Sequence, residues 1–156
     1  MKILAIQPKT YKYIYEKTRC DGKVYGFIAQ QIRELIPEAV KLKKDFIPNV
    51  YKVLNGSGYT IDTNEDLTQI LNVNDNIQII DKEKEEKLSY KILEISPNHI
   101  KIDKSINGDE CFIYGKEVDD FHTLSKEYIF TLNVCATQEL HRIIQKQQQE
   151  IDELKT

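Results

Sequence analysis

Three histidines, three cysteines and one run of carboxylates are the side chains here that could do chemistry, and their spacing argues against most of it. His99, His122 and His141 lie in different segments with no HExxH or other ligand spacing, so each reads as a structural or surface residue. Cys20, Cys111 and Cys135 are odd in number and far apart, without a CxxC pair. Neither a disulfide framework nor a zinc site is indicated, and a reducing compartment fits. The stretch "NGSG" from Asn55 lacks the G-x-S-x-G arrangement of a nucleophile elbow and is too short for a phosphate loop. "EVDD" at 117–120 gathers carboxylates without the Gly-centred loop of alternating ligands that calcium needs, and reads as a solvated lead into a helix. No serine has a base close by in sequence. From the residues, no catalytic, cofactor-binding or metal-binding position is assigned.

Composition narrows the class further. At 156 residues with 40% hydrophobic and 30% charged side chains, the chain is long enough to bury a sizeable core and is globular. A net charge of -3 argues against a nucleic-acid module, which would present a basic surface. Lys41, Lys43 and Lys44 form the one local basic cluster and read as a solvated loop. There is no secretory leader pattern and no apolar run of membrane-spanning length, so a soluble protein with no membrane partner is expected. Nineteen lysines against three arginines, with abundant Asn and Ile, point only to an AT-rich genome.

The elements that must position any site fall into three regions. In the first, Tyr11, Tyr13 and Tyr15 alternate with Lys12 and Ile14 as in a strand, and the Asp21–Gly22 pair favours a tight hairpin turn. Residues 9–15 are therefore expected to pair with 23–28. A short helix from Ala29 to Leu35 follows, with Ile32, Leu35 and Ile36 packed against that hairpin and Pro37 ending it. In the second region, 46–116, turn signals at 55, 72, 96 and 106 separate the β-rich runs 77–80, 88–95, 99–102 and 110–114. That spacing predicts a small antiparallel barrel or sandwich. The run "KEKEEK" at 82–87 is predicted to be a charged hairpin tip.

In the third region, the sequence from Ser125 to Thr156 contains neither Gly nor Pro. Ser125 is placed to cap a helix, with Glu127 in its first turn. Ile129, Leu132, Ala136, Leu140, Ile143, Gln147, Ile151 and Leu154 recur at steps of 3, 4, 4, 3, 4, 4, 3. An eleven-residue repeat of this kind predicts a nearly straight or slightly right-handed bundle. An apolar stripe on an otherwise polar helix needs a partner, and a copy of itself is the simplest one. The eight positions are the expected seam of a self-assembled coiled coil.

The string "YGFIAQQIRELIPEAV", with Gly26, Phe27, Ile28, Ala29, Gln30, Pro37 and Glu38 as its core, resembles the "GFIAQE…PE.V" motif of the intramolecular chaperone, or peptidase S74, family. "KILAIQPKTYKYIYE" and "VDDFHTLSKEYIFTLNVCATQELHRII" resemble the flanking stretches of the same family, in the same order, and together the three cover 58 of the 156 residues, at both ends of the chain. The resemblance implies an α+β fold: a small strand–helix core from residues 1–45 and 117–136, an inserted antiparallel β module at 46–116, and a C-terminal coiled-coil helix at 125–156. It further implies a homotrimer that assists folding of the polypeptide upstream of it in a viral structural or fibre-type protein, located in the virion or the host cytoplasm.

Three departures qualify what is carried over. The family cuts itself with a serine and a nearby lysine in a motif that would lie upstream of Lys2, so self-cleavage is not expected of the chain as given. Gln31 stands where the family usually has Glu. Finally, 77 residues separate Val40 from Val118, far more than in compact members, and such an insertion resembles those of large DNA virus members. Two other functions follow from the same features. One is an active self-processing serine peptidase, if the serine–lysine motif precedes this stretch. The other is a virion or host ligand-binding module, with a concave aromatic face using Tyr59, Tyr90 or Tyr114. Core burial is the expectation for those three tyrosines.

Overall fold

A computed structural model describes residues 2–13, 22–81 and 87–155. The fold is α+β. A two-stranded antiparallel pair, a six-stranded sheet and a long C-terminal helix make up most of it. The chain divides into two compact units, one of residues 1–42 with 122–156 and the other of 43–121.

In the first unit β1 (Lys9–Tyr11) pairs with β2 (Val24–Gly26), with Thr10 opposite Tyr25. The Asp21–Gly22 turn expected to join them lies, apart from Gly22, outside the described residues, as do Ile14, Tyr15 and Cys20. Helix α1 (Ala29–Leu35) ends where Pro37 opens a 3-10 turn (Pro37–Ala39). Proline fits there because its missing N–H is already an orphan at a helix start. Helix α2 (Lys126–Leu154) is capped by Ser125, whose hydroxyl accepts from the Tyr128 N–H at 3.3 Å. The core of this unit gathers Ile32, Ile36, Ala39, Val40 and Ile129, with Ile6, Phe27, Leu35 and Leu132 packed around it. Ile32 and Ile36 thus share a core with the first turn of α2, where the sequence had suggested the hairpin as their cover. The helical spacing correctly marks which face of α1 is apolar, but spacing carries no information about the element it meets.

The second unit is a closed barrel. Strands β3 (Val40–Phe46), β4 (Lys52–Asp62), β5 (Asn76–Asp81), β6 (Lys87–Ile95), β7 (His99–Ile106) and β8 (Glu110–Leu124) follow in chain order. Their spatial order is β3-β8-β4-β7-β6-β5, and β5 pairs again with β8. Five strands therefore close on themselves and leave β3 paired beside β8. Closure removes the exposed edges that an open sheet of this size would carry. Phe112 of β8 sits between Val53 of β4 and Ile80 of β5, which fixes the register across the closing seam. Period-2 alternation fills the interior: Ile100 and Ile102 point inward while Lys101 and Asp103 point out. Leu54, Ile61, Ile77, Ile79, Ile92 and Ile113 complete most of the packing, and Leu67 and Leu71 plug it from the segment between β4 and β5.

Two sequence expectations need correction. "NGSG" is not a turn between strands but a corner inside β4, which leaves β8 after Asn55 and pairs with β7 from Gly58 onward. A side chain at Gly56 would meet Ile106 Cδ1 at 2.7 Å, and Gly58 has φ +59. Glycine in a strand is as much the mark of a barrel corner as of a turn. Likewise "EVDD" is not a lead into the helix, because 117–120 continue β8 through to Leu124. Of the "KEKEEK" tip, only Lys87 is among the described residues.

Candidate self-association site

The motif residues cluster where β2 passes into α1. Gly26 is there because the Tyr11 ring occupies the space of its missing side chain: a Cβ would come 2.9 Å from Tyr11 Cε1. That ring meets Tyr13 edge-on at a centroid distance of 5.5 Å. The Tyr13 hydroxyl, 3.5 Å from that of Tyr11, is the main reason the Tyr11 phenol is raised above its ordinary value. Phe27 turns into the core, and Ile28 stays extended as the N-cap of α1, its carbonyl accepting from the Ile32 N–H at 3.1 Å. Ala29 is half-buried against the same core, while Gln30, Gln31, Pro37 and Glu38 face solvent. A strand thus runs straight into a short helix because the helix only has to deliver Ile32 and Ile36 to α2.

Along α2 the eight seam positions divide. Ile129 is 8% exposed inside the core, Leu132 is half-buried against it, and Ala136 is buried. From Leu140 onward Ile143, Gln147, Ile151 and Leu154 are exposed, Leu154 to 88%. Four further large hydrophobic side chains on this helix, outside the eleven-residue stripe, are exposed as well: Tyr128, Phe130 at 69%, Val134 and Ile144. A hollow of about 300 Å³ opens beside the helix, lined by Ile3, Ile36, Glu38, Tyr128, Leu132 and Cys135 among others. It is largely apolar, and the Cys135 thiol is exposed at its rim.

Three of the groups that could do chemistry, Ser96, His99 and Glu117, are engaged in structure. Ser96 and His99 do come together, which the sequence reading missed, with Oγ 2.7 Å from Nδ1. The same Oγ accepts the His99 N–H at 3.2 Å and reaches the His99 carbonyl at 3.3 Å, so it closes the β6–β7 turn. Glu117 accepts from Asn76 Nδ2 at 2.8 Å and lies 2.9 Å from Lys44 Nζ. The Asn76 hydrogen bond first, and Lys44 second, hold its carboxyl below the usual glutamate range. Among the described residues no group of three or more His, Cys, Asp or Glu is arranged to hold a metal ion. Among the described residues no helix is long and apolar enough to cross a membrane.

The three tyrosines do not share a face. Tyr90 is core, Tyr59 is exposed, and Tyr114 is half-buried and stacks edge-on with Tyr51 at 5.9 Å. Tyr51 also meets Phe112 at 5.0 Å and holds a positive φ of 51, a conformation no sequence pattern announced.

Comparison with known proteins adds two matches. Residues 1–41 fit the peptidase S74 family model, described as chaperone of endosialidase. That span holds the whole strand–helix motif and stops before the barrel. Along 99% of its length the chain is also similar, at 25% identity, to the uncharacterized protein VP1 of Micromonas pusilla reovirus (isolate Netherlands/2005). The chain spans only 11% of that viral protein. This relative comes from a reovirus, whereas the insertion had suggested the large DNA viruses. No solved structure matches.

Proposed function

We propose that this chain is a trimerisation and intramolecular folding-chaperone domain within a larger viral structural protein. The observation that carries the reading is a conjunction. The chaperone-of-endosialidase match covers residues 1–41, the part of the first unit against which Ile129 is buried, and the helix that carries Ile129 keeps an exposed apolar stripe to Leu154. Three helices brought together on that stripe would hold their attached chains at an effective concentration of about millimolar. Upstream β assembly could then begin in register, which lowers the loop-closure cost of slow non-local pairing. Residues 46–116 are, on this reading, an inserted barrel that the chaperone core carries without depending on it.

The test has two parts. Light scattering of the chain should give about three times its 18.3 kDa mass. Attached behind a fibre segment that misfolds alone, the chain should raise the yield of soluble trimer, and removing residues 137–156 should abolish the gain. A wild-type monomer, or a yield indifferent to the helix, overturns the proposal.

A further inference from the structure

We infer that the copies meet on a heptad face that shares Leu140, Gln147, Ile151 and Leu154 with the eleven-residue stripe but replaces its other positions, built from Phe130, Thr137, Ile144 and Ile151 at a and Asn133, Leu140, Gln147 and Leu154 at d. The inference rests on the self-association proposed above and specifies its surface, orientation and supercoil.

The argument starts from what is already covered. Ile129, Leu132 and Ala136, the first three positions of the eleven-residue stripe, are packed within their own unit. They cannot be offered to a partner without opening that core. Phe130 lies about 100° around the helix from Ile129 and is 69% exposed. Stepping from Phe130 by 3 and 4 alternately reaches Asn133, Thr137, Leu140, Ile144, Gln147, Ile151 and Leu154, and every one of them is exposed. A strict seven-residue repeat imposes a left-handed supercoil, opposite in sense to an eleven-residue one.

The remaining positions agree with this frame. Glu139 and Arg142 pair on the outer face at 2.6 Å, and Gln149 and Glu153 pair there at 3.1 Å, so from Thr137 onward the b, c and f positions are polar; before that, c is Leu132 of the chain's own core and f is Cys135. Glu150 falls at g and Lys155 at the following e, the two positions that a parallel arrangement brings together between neighbouring helices. A like-facing copy is therefore complementary in charge at this position, where Glu150 also lies 3.8 Å from Lys146 Nζ of its own helix. Ile143 at g and Val134 at e widen the apolar face beyond a two-stranded seam, which suits three helices. The polar layers Asn133, Thr137 and Gln147 restrict the register at a cost in stability.

Sedimentation equilibrium of the full chain and point variants separates the two faces. Phe130→Ser and Ile144→Asn alter exposed positions and should leave the circular dichroism of the isolated chain intact. Each should raise the concentration of half-dissociation at least about tenfold, as for a buried interface anchor. Ile143→Asn should have a smaller effect than Ile144→Asn. Glu150→Lys and Lys155→Glu should each weaken assembly about threefold, and the double swap should restore it. Association that depends on Ile143 but ignores Phe130 and Ile144 overturns the heptad face while sparing the trimer. A wild-type dimer with the predicted sensitivities overturns the trimer while sparing the face. A wild-type monomer overturns both, and a double swap that fails to recover overturns the parallel orientation.

Discussion

Gly115 leaves no room for a side chain: a Cβ there would stand within the van der Waals sphere of the Ile47 carbonyl oxygen and 2.8 Å from the Asn49 N–H nitrogen. The loop from β3 is tied down on the same spot. Ile47 N–H donates to the Lys116 carbonyl, and the Lys116 N–H donates to Asn49 Oδ1, both at 2.9 Å. Backbone cannot swing aside as a side-chain tip can. Gly115→Ala is therefore expected to cost the barrel about 3 kcal/mol or more. Gly58→Ala meets nothing within 4 Å and should cost only the left-handed penalty of about 1–2 kcal/mol. Urea unfolding of the two variants checks the difference, and equal losses would contradict it.

Glu117 makes stability depend on acid. Its carboxyl is depressed in the folded chain, first by Asn76 and then by Lys44. A depressed carboxylate contributes fully above the unfolded glutamate value of about 4.3, and the contribution is lost as pH falls through the folded value. Lys44 is raised by the same pair, so its share is lost only at alkaline pH, as pH rises through its folded value. Because Lys44 is exposed, solvent screening keeps the whole effect small. Glu117→Gln should flatten the acid limb of a stability profile taken from pH 7 to pH 3. An unchanged slope would show that other carboxylates set it.

How much of this was legible in the sequence depends on what each signal measures. Alternation in "HIKI" and "IQII" reports one buried face and marked β5 and the first half of β7. The charged run "KLKKD" concealed β3, whose side chains are mostly exposed, so no burial pattern could mark it. Gly56 and Gly58 carry the same letters whether a chain turns back or bends at a corner, and only the pairing decides. On α2, the step pattern identified apolar positions correctly as a class. It could not separate those taken by the chain's own core, Ile129 and Ala136, from those left exposed, because both obey the same helical period.

Ser125 anchors the start of α2 through its hydroxyl to the Tyr128 N–H. Its backbone N–H also donates to the Ala39 carbonyl at 2.8 Å. Ser125→Ala removes only the cap and should cost about 1 kcal/mol, whereas Ser125→Gly should cost a few tenths. Thermal melts followed by helix signal rank the two, and a larger loss for Gly would count against a capping role.

Ile32 lies in a core of few buried members, with Ile36, Ala39, Val40 and Ile129. Ile32→Ala should cost about 2–5 kcal/mol. Hydrogen exchange should speed up in α1 and the first turns of α2. The amides of β6 and β7, which belong to the separate core around Ile92 and Ile102, should keep their protection. Uniform loss of protection would mean that the two cores unfold together.

The barrel should be removable. Lys44 Nζ and Glu117 Oε2 are 2.9 Å apart, so the two ends of the proposed insertion already face each other across β3 and β8. Replacing residues 46–116 with a two-residue Asn-Gly turn then asks the chain only to close a hairpin, a connection that suits the twist of paired strands. The barrel core is built almost entirely from residues 50–113, so little of it is left behind as exposed apolar surface. The shortened chain should keep the helix signal of α2 and the wild-type state of association. If it instead loses both, the barrel is a structural part of the self-association domain rather than cargo. If it folds but no longer associates, the barrel itself supplies contacts between copies.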